Sequence, residues 1–357
     1  MTPIRPLLRD DLPHVASLYE LVMRSGSRVA APGLAEHLGR LLLDHPWVDA
    51  EIPSLVYESG RGEIVGLLGS HVRRGAFDGK PIRMACSGEL VADSERGAPG
   101  VGALLLRRYL SGPQELTFTD GATDEVRALW ETLGGSVNPL GSVGWMRVFR
   151  PAGLGLAARR RSGGLRAPLR AIARPFDSAA RRSLVPVEPK GSHEALTPAL
   201  MLEHADREVR VRPDYDESFL GWLFAEMEAV KARGRLRRRL VRGVDGAVRG
   251  WFVYYLQPGG LSEVQAVVGD VMDHLLWDAA DGGSAAVRGR LEPSLISRVR
   301  GRGFWLRATE WQLVHSRDDQ LRAAVALGDA TLTRMEGEWW MGPHLESVGS
   351  PRVNRMS

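Results

Sequence analysis

Leu90-Val91-Ala92-Asp93-Ser94-Glu95-Arg96-Gly97-Ala98-Pro99-Gly100-Val101-Gly102-Ala103-Leu104-Leu105-Leu106-Arg107-Arg108-Tyr109-Leu110 is the stretch on which the reading of this chain turns. A strand, Ile82 to Val91, feeds a glycine loop, and the loop runs directly into a strong helix. Such a junction leaves unpaired backbone N–H groups at the positive end of the helix dipole, with glycines that permit close backbone approach. It is a place that binds phosphate. A Gly-x-x-Gly-x-Gly string is equally at home in a plain turn, so its surroundings decide.

Working outward, Ile4 to Leu7 reads as a short strand, followed by a helix with Leu12, Val15, Leu18, Tyr19 and Val22 on one face and a second helix from Pro32 to Leu43. Ser54 to Glu58, Glu63 to Val72 and Ile82 to Val91 form an antiparallel meander, the first two joined by Ser59-Gly60-Arg61-Gly62. Beyond the loop helix come a strand, Glu115 to Thr119, a helix, Asp124 to Leu133, and a last apolar strand, Val143 to Phe149, which closes a domain near residue 150. A dinucleotide site needs its loop after the first strand of a parallel βαβ unit, whereas several meander strands precede this one. A nucleotide-triphosphate loop would close on Lys followed by Ser or Thr, and this one does not.

At these residues the chain resembles the GNAT superfamily of acetyl-CoA-dependent N-acetyltransferases, whose pyrophosphate loop reads Arg/Gln-x-x-Gly-x-Gly/Ala between the fourth strand and the third helix. The resemblance implies an α/β (α+β) fold with a mixed, largely antiparallel central sheet flanked by helices. It implies that Leu90, Val91 and Ala92 pair with the pantetheine arm of acetyl-CoA or another acyl-CoA, and that Arg96, Gly97, Ala98, Pro99, Gly100, Val101, Gly102 and Ala103 cradle the pyrophosphate. Arg127-Ala128-Leu129-Trp130-Glu131-Thr132-Leu133-Gly134-Gly135 is similar to the family's helix ending Ala-Leu-Tyr-Glu-Lys-Leu-Gly-Phe. Two departures stand out. Arg96 lies one residue too far from Gly100, with Gly97 in the basic position. Trp130 stands where many members carry the Tyr that protonates the leaving thiolate, and an indole N–H is no general acid at neutral pH.

Residues 151–195 gather Arg159-Arg160-Arg161, Arg166, Arg170, Arg174, Arg181-Arg182 and Lys190 against only Asp177, Glu188 and Glu194, which reads as a basic linker with some helix. Residues 196–345 then repeat the element order of the first half, ending on a strand around Trp311 to His315, with 346–357 as a tail. Only Gly269-Asp270 separates the strand Leu261 to Val268 from the next helix, so this half has no glycine cradle, and Asp270 would repel a pyrophosphate. The expected architecture is a tandem of two GNAT-like domains, 1–150 carrying the CoA loop and 196–345 degenerate.

Acyl transfer to an amine needs a base for the ammonium proton and close alignment of the reactants. Glu89, on the strand before the cradle, is the candidate base, with a solvent-facing strand residue as its plain alternative. Asp120 is placed to orient the amine or a water, or to serve a turn or cap beside Gly121. Cys86 has no histidine at a motif spacing and reads as buried and inert. His71 and His315 read as structural, and no metal-ligand spacing accompanies them. Trp339-Trp340 reads as packing across the domain junction or lining an acceptor groove.

The 357 residues exceed what one core usually serves, and 44% hydrophobic with 25% charged residues is the balance of a globular protein. A net charge of +4 does not point to nucleic acid. One cysteine excludes an internal disulfide, and no window is long and apolar enough to span a bilayer, so the cytoplasm is the expected compartment. The expected activity is acyl-CoA-dependent transfer, acetyl first, to the amine of a small metabolite, amino sugar or amino-acid derivative. Two alternatives stay open: an aminoacyl-tRNA-dependent transferase resembling the peptidoglycan-bridge enzymes, with the basic linker on RNA, and a non-catalytic CoA-binding or scaffold protein, prompted by Trp130. Acceptor identity and oligomeric state are not written in the sequence.

Overall fold

The computed structural model describes residues 3–93, 95–97, 99–155, 184–205, 208–300 and 303–342. Two sheets organise them. The first runs β1 (Ile4–Pro6), β2 (Leu55–Glu58), β3 (Ile64–Phe77), β4 (Lys80–Ala92), β5 (Leu116–Ala122), β15 (Trp311–His315) and β6 (Ser136–Val137), with β9 (Val211–Pro213) added on the far end of β3. The second runs β14 (Trp305–Ala308), β7 (Val143–Val148), β13 (Ala286–Arg290), β12 (Leu261–Gly269), β11 (Val248–Leu256), β10 (Arg235–Arg242) and β8 (Ser192–Ala195). Neighbours are antiparallel except β4 with β5 and β12 with β13, which are parallel. Each half therefore has a mixed, largely antiparallel sheet, as expected.

The strands do not divide between the sheets as the sequence order suggests. β7, expected to close the first domain, pairs with β13 and β14 in the second sheet. β15, expected to close the second, lies between β5 and β6 in the first. A cut near residue 150 thus falls after the chain has already crossed over. The reason lies in what strand patterns encode: alternation fixes which side chains face inward, while the ladder of backbone hydrogen bonds accepts any neighbouring strand of suitable face.

Helices cover the first sheet on both faces. α1 (Leu12–Tyr19) and α2 (Leu34–Leu42) bury Val15, Leu18, Leu34 and Leu38 against Val56, Leu67 and Val91. α3 (Val101–Leu110) and α4 (Asp124–Thr132) bury Leu105, Tyr109 and Trp130 on the opposite face. Gly66 lets α3 approach β3, because a β-carbon there would stand 2.5 Å from the Val101 side chain. The helix Glu217–Ala229 joins the halves: Phe219 stacks on Trp47, ring centroids 3.7 Å apart, in a core that also holds Trp251, Tyr255 and Trp340. A short helix, Pro198–Glu203, precedes it in the second half. Most of the expected basic linker, and all of the expected tail at 346–357, lie outside the described residues.

Candidate active site

β4 and β5 are paired at only three positions, Met84 with Leu116, Ala85 with Thr117 and Cys86 with Phe118. Beyond these the two strands part into a fork. A bulge shapes the β4 arm: its register with β3 moves from Leu67 opposite Val91 to Gly69 opposite Gly88, leaving Glu89 and Leu90 to face Leu68. Glu89 takes φ 45°, a left-handed backbone that costs a non-glycine residue about 1–3 kcal/mol and that functional sites often retain. Bulges of this kind bend a strand and re-aim its side chains.

The re-aimed Glu89 carboxylate is buried and meets His71 Nε2 at 2.8 Å. His71 Nδ1 is buried with no partner, and Nε2 donates the hydrogen bond to the Glu89 carboxylate. A second carboxyl arrives from far along the chain. Glu338 accepts hydrogen bonds from the Thr119 hydroxyl on one arm and the Glu89 backbone N–H on the other. Burial first, then the charges of Asp120 and Glu89, push its pKa well above the usual carboxylate range. Asp120 Oδ1 accepts the backbone N–H of Glu338 at 2.8 Å and of Trp339 at 3.0 Å, while Arg290 donates to the Asp120 carbonyl at 2.7 Å. Glycines make the room: a β-carbon on Gly69 would collide with Glu89, one on Gly337 with Asp120, and one on Gly88 would stand 2.7 Å from Glu338.

The loop after β4 has a tighter internal structure than its glycines suggest. Asp93 Oδ1 takes the N–H groups of Glu95 and Arg96, at 3.0 and 3.2 Å, and the Asp93 carbonyl takes that of Gly97 at 2.8 Å. Arg28, 2.8 Å from Asp93, offsets its charge. Arg96 itself pairs with Glu63 at 3.5 Å. The amides left for an anion are those of the first turn of α3, Val101 to Ala103, where Gly100 at φ 82° forms the N-cap and no side chain caps the helix. The expected cradle thus narrows to its helical end; Ala98 lies outside the described residues. A recess of about 640 Å³ opens beside the loop between the Glu58–Glu63 turn, Arg61 and Arg96.

The second sheet has the matching fork, with β12 and β13 paired only from Leu261 with Ala286 to Glu263 with Arg288. It is filled. Arg334 donates its backbone N–H to Gln265 at 3.0 Å, and Trp339 lies between the guanidinium groups of Arg233 and Arg334, 3.5 and 4.1 Å from the ring centre. Between β12 and the next helix lie only Asp270 and Val271, and Asp270 pairs with Arg298 at 2.7 Å. One short strap, Thr333 to Met341, therefore places Glu338 in the first fork and the adjacent Trp339 in the second.

Of the expected site residues, Glu89 and Asp120 meet at the fork, together with His71, expected to be structural, and Glu338, for which no role was expected. Trp130 packs in the core beneath α3 and does not face the fork. Cys86 is fully buried and burial pushes its thiol up, as an inert residue should be. His315 sits half-buried on β15, paired across to Thr117, away from the carboxylates. Trp340 is buried in the core shared by the two halves, the junction role. Among the described residues there is no group of three or more metal-ligating side chains, and no helix is long and apolar enough to cross a membrane.

No protein-family model and no curated protein sequence matches the chain. Among solved structures it is similar to an Enterococcus faecalis protein described as a probable N-acyltransferase (TM-score 0.56, 8% identity, covering 88% of this chain and 72% of that one). It is similar also to a GCN5-related N-acetyltransferase from Anabaena variabilis (TM-score 0.52, 10% identity, 88% and 72%) and to the N-myristoyltransferase of Saccharomyces cerevisiae (TM-score 0.51, 10% identity, 88% and 80%). At these identities the likeness is one of fold. The chain has the fold of the GCN5-related N-acetyltransferases, laid out as two sheets that exchange a strand.

Proposed function

We propose that the protein is an acyl-CoA-dependent N-acyltransferase, acetyl-CoA being the first donor to test, which works at the β4–β5 fork and acylates the amine of a small metabolite, amino sugar or amino-acid derivative. The observation that carries this reading is the bulged Glu89, a buried carboxylate oriented by His71 at the mouth of a fork whose other end is an uncapped helix N-terminus. The described residues fit the donor: Leu90 to Ala92 present a strand edge with no β5 partner, and Gly100 leaves open space before the first-turn amides of α3. The yeast N-myristoyltransferase of similar fold was solved with bound myristoyl-CoA.

Acyl-CoA supplies the activated thioester. The chain's own residues do the rest. The first turn of α3 holds the pyrophosphate by backbone N–H groups and helix dipole. Glu89 takes the proton from the acceptor ammonium, and His71 keeps its carboxylate aimed. Glu338 and Asp120 tie the two arms together and so fix the width of the fork; both are positioning residues. In the absence of a phenol at position 130, the departing thiolate leaves without a dedicated acid on α4.

Mass spectrometry of reactions containing acetyl-CoA and a panel of small amines tests the reading. Acylated amine that depends on Glu89 supports it. Neither product nor CoA binding by any acyl-CoA would overturn it, and CoA binding without product would favour a binding protein.

A further inference from the structure

The β4–β5 fork has a floor, and one side chain makes it. The last paired residues are Cys86 and Phe118. Just beyond them the Glu338 carboxyl accepts hydrogen bonds from the Thr119 hydroxyl on β5 and the Glu89 backbone N–H on β4. It lies against a glycine on each arm: a β-carbon on Gly88 would come 2.7 Å from Glu338 Oε2, and one on Gly121 3.6 Å from Oε1. The carboxyl thus fills space that the strands' own side chains leave empty. The floor is also firmly held. Asp120 accepts the backbone N–H groups of Glu338 and Trp339, the buried Arg73 donates from Nε to the Glu336 carbonyl at 3.1 Å, and His37 Nε2 on α2 donates to the Met341 carbonyl at 3.0 Å. Trp340 and Met341 are buried in the core shared by the two halves. A ligand that presses on Glu338 therefore presses on the whole strap.

We infer that Glu338 is the end stop of the acyl site, and that its bulk limits the donor to a short acyl group, acetyl or propionyl. The inference rests on the acyltransferase reading and specifies its donor. An arm that pairs with Leu90 to Ala92, with its pyrophosphate at the first turn of α3, directs its acyl end back along β4 toward Glu89 and Gly88. Glu338 closes the fork at that level. A longer chain meets no apolar wall there; it meets a hydrogen-bonded carboxyl on a strap tied to the Asp120–Arg290 pair. An open apolar channel would instead raise affinity about fourfold for each methylene added. The dependence of binding on chain length therefore separates a stopped fork from an open one.

Calorimetry on the full chain reads this from binding alone, with CoA, acetyl-CoA, propionyl-CoA and butyryl-CoA as the probes. In the parent, affinity should not rise from acetyl-CoA to butyryl-CoA. Glu338→Ala vacates the floor, and butyryl-CoA should then bind about tenfold tighter than acetyl-CoA, close to the effect of burying two methylenes. Each ratio is taken within one variant, so a loss of affinity common to all donors cancels. Glu338→Gln keeps the bulk and should keep the parent's ratio. If Glu338→Ala does not fold, Glu338→Asp, shorter by one methylene, should bind propionyl-CoA about fourfold tighter than acetyl-CoA. A parent affinity that rises with chain length, an unchanged ratio in the shortened variant, or a raised ratio in Glu338→Gln would overturn the end stop and leave the acyltransferase reading standing. No binding of CoA or of any of its thioesters would overturn both.

Discussion

The Glu338 backbone N–H donates to the Asp120 carboxylate at 2.8 Å across 218 residues of chain. That bond brings a late segment into the middle of the first sheet, where Asp120 is fully buried and braced by Arg290. The Glu338 side chain then reaches back to both arms of the fork. The width of the β4–β5 fork, formed by the first half of the sequence, is therefore set by the second half.

Glu89→Gln should lower turnover by roughly a hundredfold or more, the usual scale for losing a general base, with little change in CoA affinity. Steady-state kinetics with equilibrium binding on the same variant checks it. Undiminished turnover removes Glu89 from the mechanism.

Gly100→Asp should abolish CoA binding. Open space surrounds the position, so the fold should survive, but the change adds a negative charge at the helix N-cap and sets a side chain on a φ of 82°, at a cost of about 1 kcal/mol. Calorimetry against CoA and thermal unfolding separate the two effects. A variant that binds CoA like the parent would show the loop to be only a turn.

Glu338→Gln should flatten the pH dependence of stability. A carboxyl whose pKa is raised by folding holds its proton more tightly in the folded chain, so its contribution is full below the ordinary carboxylate pKa of about 4.3 and is lost as pH rises through the raised value. The parent should lose stability from about pH 5 to 8, and the amide, which cannot ionise, should lose less. Urea unfolding at both pH values measures the difference. An equal slope in parent and variant would mean that Glu338 ionises in the fold at its ordinary pH.

Trp339→Ala should destabilise the protein by about 2–3 kcal/mol through lost packing and the two guanidinium contacts, without creating a second CoA site. Emptying the fork supplies no cradle, because Gly269-Asp270-Val271 leads at once into the helix Met272–Asp281. CoA titration should still give one site per chain.

The sequence carried the parts of this fold that depend on local chemistry. The helix after Gly100, the meander before it and the missing loop after Val268 were legible because glycine spacing and hydrophobic period are local signals. Glu338 was not, since Thr331 to Met341 mixes polar and apolar residues with no period that distinguishes a surface turn from a buried strap. A trace existed nonetheless: Gly69 and Gly88 interrupt otherwise strong strands, and glycine inside a strand often marks the close approach of another group. His71 was read as structural because its partner, 18 residues away, becomes a neighbour only through the β3–β4 register and the bulge.

The exchanged strands give the sharpest test of the architecture. A protease site placed between residues 156 and 183 would separate a first fragment, carrying β7, from a second, carrying β15. β15 supplies the partners of β5 at Thr117, Phe118, Thr119 and Ala122, and its Leu313 and Val314 are buried in the two cores that flank the first sheet. β7 likewise holds Trp145 in the core of the second sheet, with the indole N–H on the Arg290 carbonyl at 2.9 Å. Each fragment thus lacks a central strand of its own sheet and owns one of the other's, and an unpaired strand edge over an exposed core is an aggregation template. The cleaved protein should elute as one species in native size-exclusion chromatography and separate only in denaturant. The first 150 residues expressed alone should be insoluble or lack a cooperative unfolding transition. Two folded, independently eluting halves after cleavage would show that the strands belong where the sequence order puts them.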